Sequence, residues 1–363
     1  MPSYAPPAKI PAPFSPRPPL PAGSDTRLRN FVRDYGKMGH FRGIFPDRET
    51  DFLGRACQNR CGKSERFALR AHFFHSPFPM SPPSDPRSAP QALPPPGDTH
   101  THTFRCRHAG GDVADYARAA RDAGVPFLAA TDHIPHPGGG TDGLHMTLAE
   151  LPGYVAAVLA AREKLSYPVL LGFEAEFELA RDRVWLDGLL SPHPVDLLLG
   201  SVHCGDHWRL SPSSPEATRE KIRAIWVEYA RNLIELARSG AFDVAAHLDL
   251  AKRTGLFAPP DLLEETMFPA LDAIAEAGMA VEINTSGFVH PAGEPYPSLH
   301  LLRRARELDI PICFGSDAHA PKDVVQFFPA AVELARAAGY STYAVFSRRV
   351  RREVPLPPPP LPP

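Results

Sequence analysis

The chain has 363 residues, of which 43% are hydrophobic and 22% are charged, and its formal net charge at pH 7 is −2. This is the composition of an ordinary soluble globular protein. It contains no run of the roughly 20 consecutive apolar residues that a membrane-spanning helix needs, and its N-terminus lacks the apolar core of a secretory signal. The five cysteines are scattered rather than arranged as a disulfide framework, so a cytoplasmic protein is expected.

Prolines and charges are unevenly distributed along the chain. Residues 1–96 hold 19 of the 44 prolines, with 14 basic against 7 acidic residues. Such a segment samples extended conformations rather than packing, so a largely disordered, basic extension is predicted over 1–96. The rest of the chain has nine more acidic than basic residues. A folded domain is predicted over 97–350, followed by a solvated proline-rich tail over 351–363.

From Asp98 onward, short apolar runs alternate with helical patterns. Strands are predicted from Asp98, at 127–131, 169–175, 196–202, 242–247 and 280–283, and from Ile312. Helices are predicted at about 112–123, 147–164, 216–238, 261–277, 298–307 and 323–338. This alternation indicates a parallel α/β architecture, which is either an open doubly wound sheet or a closed barrel.

Histidines and carboxylates recur at the carboxyl ends of these predicted strands. They are His100 with His102, His133, Glu174, His203, His247, and Asp317 with His319. In a barrel, those strand ends converge on one mouth, where active sites of this architecture lie. A single strand-end histidine is more often a hydrogen-bonded loop residue than a ligand. Coincidence at six strand ends is much less probable, and the recurrence therefore favours the barrel.

The recurring residues have the chemistry of metal ligands. Together with His108, on the loop after the first strand, they comprise seven histidines, one glutamate and one aspartate. One ion takes about four to six ligands, so the set predicts two or three divalent ions, and mixed nitrogen and oxygen donors suit Zn, Mn or Fe. Glu174 is the natural candidate for a carboxylate that bridges two ions. Such ions activate water and hold phosphoryl oxygens, so no protein nucleophile is required.

These residues resemble the motifs of the PHP (polymerase and histidinol phosphatase) superfamily over about Asp98 to Val345. The motifs are Asp98-Thr-His-Thr-His, His108, Thr131-Asp-His133, Gly172-Phe-Glu174, Gly200-Ser-Val-His203, His247 and Gly315-Ser-Asp-Ala-His319. The resemblance implies a distorted (β/α)7 TIM-like barrel with a trinuclear metal centre. It also implies one ligand set for each ion. The first set is His100, His102, Glu174 and Asp317, and the second is Glu174, His203 and His247. The third set is His108, His133 and His319. Glu174, Asp317 and His319 are the predicted catalytic residues.

Within the superfamily, the chain resembles the histidinol-phosphatase branch. The similarity lies in Glu282-Ile-Asn-Thr-Ser-Gly287, Tyr296-Pro-Ser298 and His247-Leu-Asp-Leu-Ala-Lys-Arg253. It implies hydrolysis of L-histidinol phosphate to L-histidinol and phosphate, in histidine biosynthesis.

Four residues are predicted to contact this substrate. Arg253 or Lys252 is expected to bind a phosphate oxygen, and Trp208 to shape the substrate pocket. Relatives often place an arginine after the Asn-Thr-x-Gly turn, where this chain has Phe288-Val289-His290. His290 is therefore predicted to replace that arginine in part, with lower affinity for a dianion.

Two alternatives stay open at this point. Besides a histidinol-phosphatase, the sequence is compatible with a PHP phosphoesterase that acts on another small phosphate or on nucleic-acid ends. It is also compatible with a non-catalytic scaffold whose proline-rich tails bind partner domains. The acidic excess of residues 97–363 argues against nucleic acid, and the complete ligand set argues against a scaffold. The sequence determines neither the identity of the metal nor the oligomeric state.

Overall fold

The computed structural model of the protein describes residues 95–137, 143–203, 205 and 218–358. Its helices are α1 Val113–Asp122, α2 Leu151–Leu165, α3 Arg183–Leu190, α4 Arg219–Arg238, α5 Pro260–Glu276, α6 Leu299–Glu307 and α7 Phe328–Ala337. Its strands are β1 Leu128–Ala130, β2 Val169–Glu176, β3 Leu197–Ser201, β4 Val244–Ala245, β5 Ala280–Asn284, β6 Ile312–Gly315, β7 Thr342–Ser347 and β8 Val350–Pro355. None of the described helices is both long enough and apolar enough to cross a membrane.

The strands β1 to β6 form one parallel sheet in sequential order. Residues 98–102 join the two edges of this sheet, because Asp98 bridges Leu128 of β1 and Thr101 bridges Ala318 just after β6. This segment occupies the place of the predicted first strand, although it makes only isolated bridges. The prediction of a distorted (β/α)7 barrel is confirmed.

Buried strands explain the continuous apolar runs of the sequence. Every residue of β3 and of β5 is buried, because helices cover the outer face of the sheet while side chains fill its interior. Leu197 and Leu199, two positions apart on β3, share one buried cluster with Ala344 and Phe346 of β7. The strand β7 therefore contributes side chains to the core of the barrel.

The end of the chain differs from its prediction. Residues 351–355, for which the sequence predicts a solvated tail, belong to β8 and pair antiparallel with β7. The prediction of a tail is wrong for these residues because β7 anchors the hairpin, while β8 itself is mostly exposed and gives no buried pattern in the sequence. Residues 1–94 of the predicted extension and 359–363 of the tail lie outside the described residues.

The turn of this hairpin is fixed to the amino end of the barrel. Arg349 contacts both carboxylate oxygens of Asp243, with Nε–Oδ2 at 2.9 Å and Nη2–Oδ1 at 3.0 Å. The backbone N–H groups of Arg348 and Arg349 donate to the side chain and the carbonyl of Asp196. Because Asp196 and Asp243 directly precede β3 and β4, the hairpin is tied to both strands where they start.

The Arg349→Ala substitution is expected to lower the free energy of unfolding by about 1–2 kcal/mol, because it removes a bidentate, partly buried ion pair. Urea denaturation followed by circular dichroism would measure the change. Arg352→Ala is the matched control, since Arg352 is exposed on β8, and it should change the value by less than about 0.5 kcal/mol. Equal effects of the two substitutions would contradict the proposed anchoring.

Candidate metal centre

The predicted ligand residues come together at the carboxyl ends of the barrel strands. The first cluster consists of four donor atoms, which are Nε2 of His100, Nε2 of His102, Oε2 of Glu174 and Oδ1 of Asp317. The two nitrogens lie 3.0 Å apart, 3.4 and 3.3 Å from the Glu174 oxygen, and 3.7 and 3.2 Å from the Asp317 oxygen. Donor atoms that each lie about 2.0 Å from a shared tetrahedral Zn ion are about 3.3 Å apart, and these five separations are close to that value. The residues of the first cluster therefore fit a divalent ion.

The second cluster uses the other oxygen of the same glutamate. Oε1 of Glu174 lies 3.2 Å from Nε2 of His203 and 2.9 Å from Nε2 of His247. The two imidazole nitrogens are 3.1 Å apart. Three buried or half-buried donors at these spacings fit one face of a coordination shell. Glu174 thus faces both clusters, as its predicted bridging role requires.

The remaining three predicted ligands gather beside the first cluster. The ring centroid of His108 lies 5.5 Å from that of His133 and 4.7 Å from that of His319. Both His133 and His319 have their ring centroids 4.6 Å from that of His102. On this side, however, the compact group of donor atoms consists of His102, Cys106 and His133. The structure brings the three rings together, and their use as a third ligand set stays a prediction.

Carboxylates hold the outer nitrogen of one histidine in each cluster. Nδ1 of His100 lies 2.7 Å from Oε1 of Glu282, and Nδ1 of His203 contacts Oε1 of Glu176. A proton on Nδ1 that bonds to a carboxylate leaves the lone pair on Nε2, which is the nitrogen that faces the cluster. The backbone carbonyls of Cys106 and Asp317 accept hydrogen bonds from Nδ1 of His108 and His319 in the same way.

Glu282 and Cys106 contact these histidines but have no role predicted from the sequence. Cys106 is buried and places Sγ 3.3 Å from Nδ1 of His102 and 3.2 Å from Oδ1 of Asp132. The signal for Glu282 was available, because a carboxylate in the middle of the buried strand Ala-Val-Glu-Ile-Asn needs a polar partner inside the barrel. The signal for Cys106 was weaker, since a buried cysteine usually packs as a small apolar residue.

The two carboxylates of the clusters are ionised at neutral pH. Burial alone would raise the pKa of Glu174 and of Asp317, but the surrounding histidines hold both pKa values well below their usual range. In turn, burial lowers the pKa of His102, but hydrogen bonds with Asp317 and Glu174 outweigh it and raise this pKa to about 9. The first cluster therefore attracts positive charge, which a bound divalent ion would supply in place of a proton.

Other histidines of the site are kept neutral. Burial lowers the pKa of His133 well below its ordinary value, and burial together with the charge of His102 lowers the pKa of His319 to about 4. Neutral imidazole is the form that binds metal ions. The electrostatics on this side of the site also suit a metal centre.

The ammonium group of Lys252 is fully engaged within the protein. Its side chain is buried, and Nζ donates to Oδ2 of Asp249 at 2.9 Å, to Oε1 of Glu294 at 2.8 Å and to the carbonyl of Pro295 at 2.9 Å. An ammonium group has three protons, and all of them are used. The prediction that Lys252 binds the phosphate is therefore wrong, since the ammonium is occupied by an internal network.

Arg253 and His290 interact electrostatically with each other, and His290 also interacts with Asp317 of the first cluster. Arg253 is half-buried, and its guanidinium has no hydrogen bond or ion pair within the described part of the chain. Burial and the charge of Arg253 lower the pKa of His290 to about 4, and the charge of Asp317 opposes this shift. His290 is thus neutral at pH 7 and lies near both residues. Trp208, the fourth predicted substrate contact, falls outside the described residues.

The fold and these clusters define a class of protein, namely a parallel barrel whose mouth presents nitrogen and oxygen donors for divalent metal ions. Residues 98–286 match the PHP domain family. Since this match covers more than half of the chain, the chain belongs to the PHP domain family, as the sequence motifs indicated.

Two relatives are matched over nearly their whole length. A probable histidinol-phosphatase of Deinococcus radiodurans is 35% identical over 260 residues, which are 70% of this chain and 98% of the relative. The histidinol-phosphatase of Bacillus subtilis is 28% identical over 263 residues, which are 65% of this chain and 98% of the relative.

A solved structure has the same fold. The histidinol phosphate phosphatase of Lactococcus lactis, crystallised with Zn, L-histidinol and phosphate, aligns with a TM-score of 0.61 and 21% identity. The alignment covers 72% of this chain and the whole of that chain. At this identity the likeness shows the fold alone.

Proposed function

We propose that this protein is a metal-dependent histidinol-phosphatase, which hydrolyses L-histidinol phosphate to L-histidinol and phosphate in histidine biosynthesis. The observation that carries the proposal is the pair of donor clusters that share Glu174 at the mouth of a PHP-domain barrel. The named activities of relatives at 35% and 28% identity support the choice of substrate.

We assign two or three divalent ions, Zn, Mn or Fe, to the site. The first would be held by the four residues of the first cluster, and the second by Glu174, His203 and His247. A third ion would take the three rings of His108, His133 and His319. When bound, such ions polarise phosphoryl oxygens and make a coordinated water acidic.

The predicted catalytic residues would then act mainly by holding this centre in place. Glu174 directs one oxygen to each cluster. Asp317 directs Oδ1 to the first cluster because its Oδ2 accepts hydrogen bonds from Ser286 at 3.2 Å and from Asn284 at 3.4 Å. His319 engages its Nδ1 proton with the carbonyl of Asp317, which leaves Nε2 as an acceptor near the mouth.

Arg253 would bind the phosphate group. A phosphate monoester is largely a dianion near neutral pH, and a guanidinium can contact two of its oxygens at once. Arg253 is half-buried, and its guanidinium has no hydrogen bond or ion pair with the described residues, which leaves it available to a substrate. It interacts electrostatically with His290, which in turn interacts with Asp317 of the first cluster. Neutral His290 would contribute a hydrogen bond but no charge.

The Arg253→Ala substitution is expected to raise KM for histidinol phosphate about 10- to 100-fold, with a smaller change in kcat. A charge-assisted hydrogen bond is worth about 1.5–3 kcal/mol, and each 1.4 kcal/mol is about tenfold. Steady-state kinetics would measure the effect. Arg219→Ala provides the control, because the Arg219 side chain is 81% exposed at the start of α4. If KM did not change in Arg253→Ala, another group would have to bind the phosphate.

The substrate assignment is tested by phosphate release from the full chain loaded with Mn or Zn. Histidinol phosphate, p-nitrophenyl phosphate and a mononucleotide are compared as substrates. We expect kcat/KM for histidinol phosphate to be at least about 100-fold higher than for the others, and His102→Ala to abolish it. Comparable turnover of the others would keep the metal centre and remove the histidine-pathway assignment. A metal-loaded protein with no turnover would favour the scaffold alternative.

A further inference from the structure

Glu282 is a carboxylate buried in the interior of the barrel. It lies on β5, and none of its surface is exposed. Oε1 contacts Nδ1 of His100 at 2.7 Å. Oε2 accepts hydrogen bonds from the backbone N–H of His247 at 2.7 Å and from the side chain of Asn284 at 3.1 Å. The high cost of burying this group is offset only if these contacts are kept together.

These contacts divide between the two clusters. His100 is a member of the first cluster, and His247 is a member of the second. His247 has a left-handed backbone conformation, with φ of +27°, which a non-glycine residue adopts only when its surroundings hold it there. The bond from its N–H to Oε2 is such a constraint, so the two oxygens of Glu282 determine where a donor of each cluster points.

A glycine on the neighbouring strand leaves the space that this carboxylate occupies. Gly315 ends the neighbouring strand β6, and a Cβ atom there would lie 1.8 Å from Oε1 of Glu282 and 2.7 Å from Cβ of His100. Any side chain at position 315 would therefore displace Glu282, His100 or both. The glycine is needed for the space, since its φ is not in the left-handed region.

We infer that Glu282 is a positioning residue that couples the two metal subsites, through the ring of His100 and the backbone of His247. This inference rests on the proposed metal-dependent function. Glu176 offers a natural comparison, because it contacts both Nδ1 and the backbone N–H of His203 and so serves the second cluster alone.

The Glu282→Gln substitution keeps the size of the side chain and removes one acceptor. If the amide nitrogen faces His100, Nδ1 can no longer donate to it, and the ring proton moves to Nε2, which blocks the ligand atom. If the amide nitrogen faces His247 instead, its N–H group meets the backbone N–H of His247, and the backbone must shift. Either orientation disturbs one cluster directly, and because the same side chain also holds a donor of the other cluster, its displacement disturbs that cluster as well.

The test is a titration of the full-length protein with Zn against a chromophoric chelator, together with absorption spectra of the Co-substituted protein. Zn ions that bind with different affinities form separate classes in this titration. The class lost in His102→Ala belongs to the first cluster, and the class lost in His203→Ala belongs to the second. We expect Glu282→Gln to weaken both classes at least about tenfold, and Glu176→Gln to weaken only the class that is lost in His203→Ala. Gly315→Ala, which displaces the carboxylate without changing its charge, should reproduce the effect of Glu282→Gln and alter the Co spectrum.

Wild-type affinities in folded Glu282→Gln or Gly315→Ala, or a loss confined to one class, would overturn the inference. Hydrolysis of histidinol phosphate by the wild-type protein reports separately on the proposed function. If the variants lose metal as expected but the wild-type protein does not hydrolyse this substrate, the function is wrong and the coupling stands. If the wild-type protein hydrolyses it but the variants bind metal normally, the coupling is wrong and the function stands.

Discussion

The Glu174→Gln substitution is expected to lower kcat/KM for histidinol phosphate by at least about a thousandfold. Oε1 of Glu174 faces the two histidines of the second cluster, and Oε2 faces His100 and His102 of the first. An amide replaces one of these ionised oxygens by a donor group that cannot bind a cation. One substitution therefore damages both proposed subsites, which no other ligand substitution does directly.

Steady-state kinetics and elemental analysis of bound metal would measure this effect. Glu178→Gln is the matched control, since Glu178 lies four positions further on and its side chain is 57% exposed. The control should retain wild-type activity and metal content. If Glu174→Gln kept more than about a tenth of the activity, Glu174 would not be shared by essential ions.

Removal of metal by a strong chelator is expected to reduce hydrolysis to less than about 1% and to lower the melting temperature. A ligand present at about 1,000 times its Kd stabilises the folded state by about 4 kcal/mol, which corresponds to roughly 10 °C for a domain of this size. In the metal-free protein, ionised Glu174 and Asp317 stay buried among the histidines, where only protonated rings such as His102 supply positive charge.

Addition of Mn or Zn should restore both activity and melting temperature. The control is the same chelator saturated with metal beforehand, which should have no effect. Full activity in protein that holds less than about a tenth of an equivalent of metal would contradict the proposed centre.

The barrel was predictable because its strands β1 to β6 are short, mostly apolar runs, with a polar residue at the carboxyl end or within a few positions after it. The strands β2, β3 and β5 lie within a few residues of their predicted positions. The convergence of His100, Glu174 and Asp317 followed from one rule, namely that parallel strands in a barrel present their carboxyl ends at the same mouth. The distances between donor atoms did not follow from that rule.

Two elements were missed for physical reasons. The helix α3 has eight residues, too few for a clear helical period. The hairpin of β7 and β8 was missed because β8 is rich in arginine and exposed, so that only β7 has an apolar pattern.

The error at Lys252 has a different origin. One of its acceptors, Asp249, lies on the same turn, but Glu294 and Pro295 are more than 40 positions further along the chain. A sequence shows that a lysine follows a strand end, but it does not show whether distant residues already use its protons. The same limit applies to the partners of Glu282: its burial was predictable, but its contacts with His100 and His247, at two other strand ends, were not.

The closure of the barrel by residues 98–102 determines when during protein synthesis the site can form. Asp98 accepts a hydrogen bond from the backbone N–H of Ser316, which is 218 positions later in the chain. His100 and His102 are therefore translated early, but their partner Asp317 leaves the ribosome only when nearly the whole domain has been made. A chain that terminates prematurely, anywhere before this residue, lacks a donor of the first cluster. Incomplete translation products thus cannot assemble the complete centre.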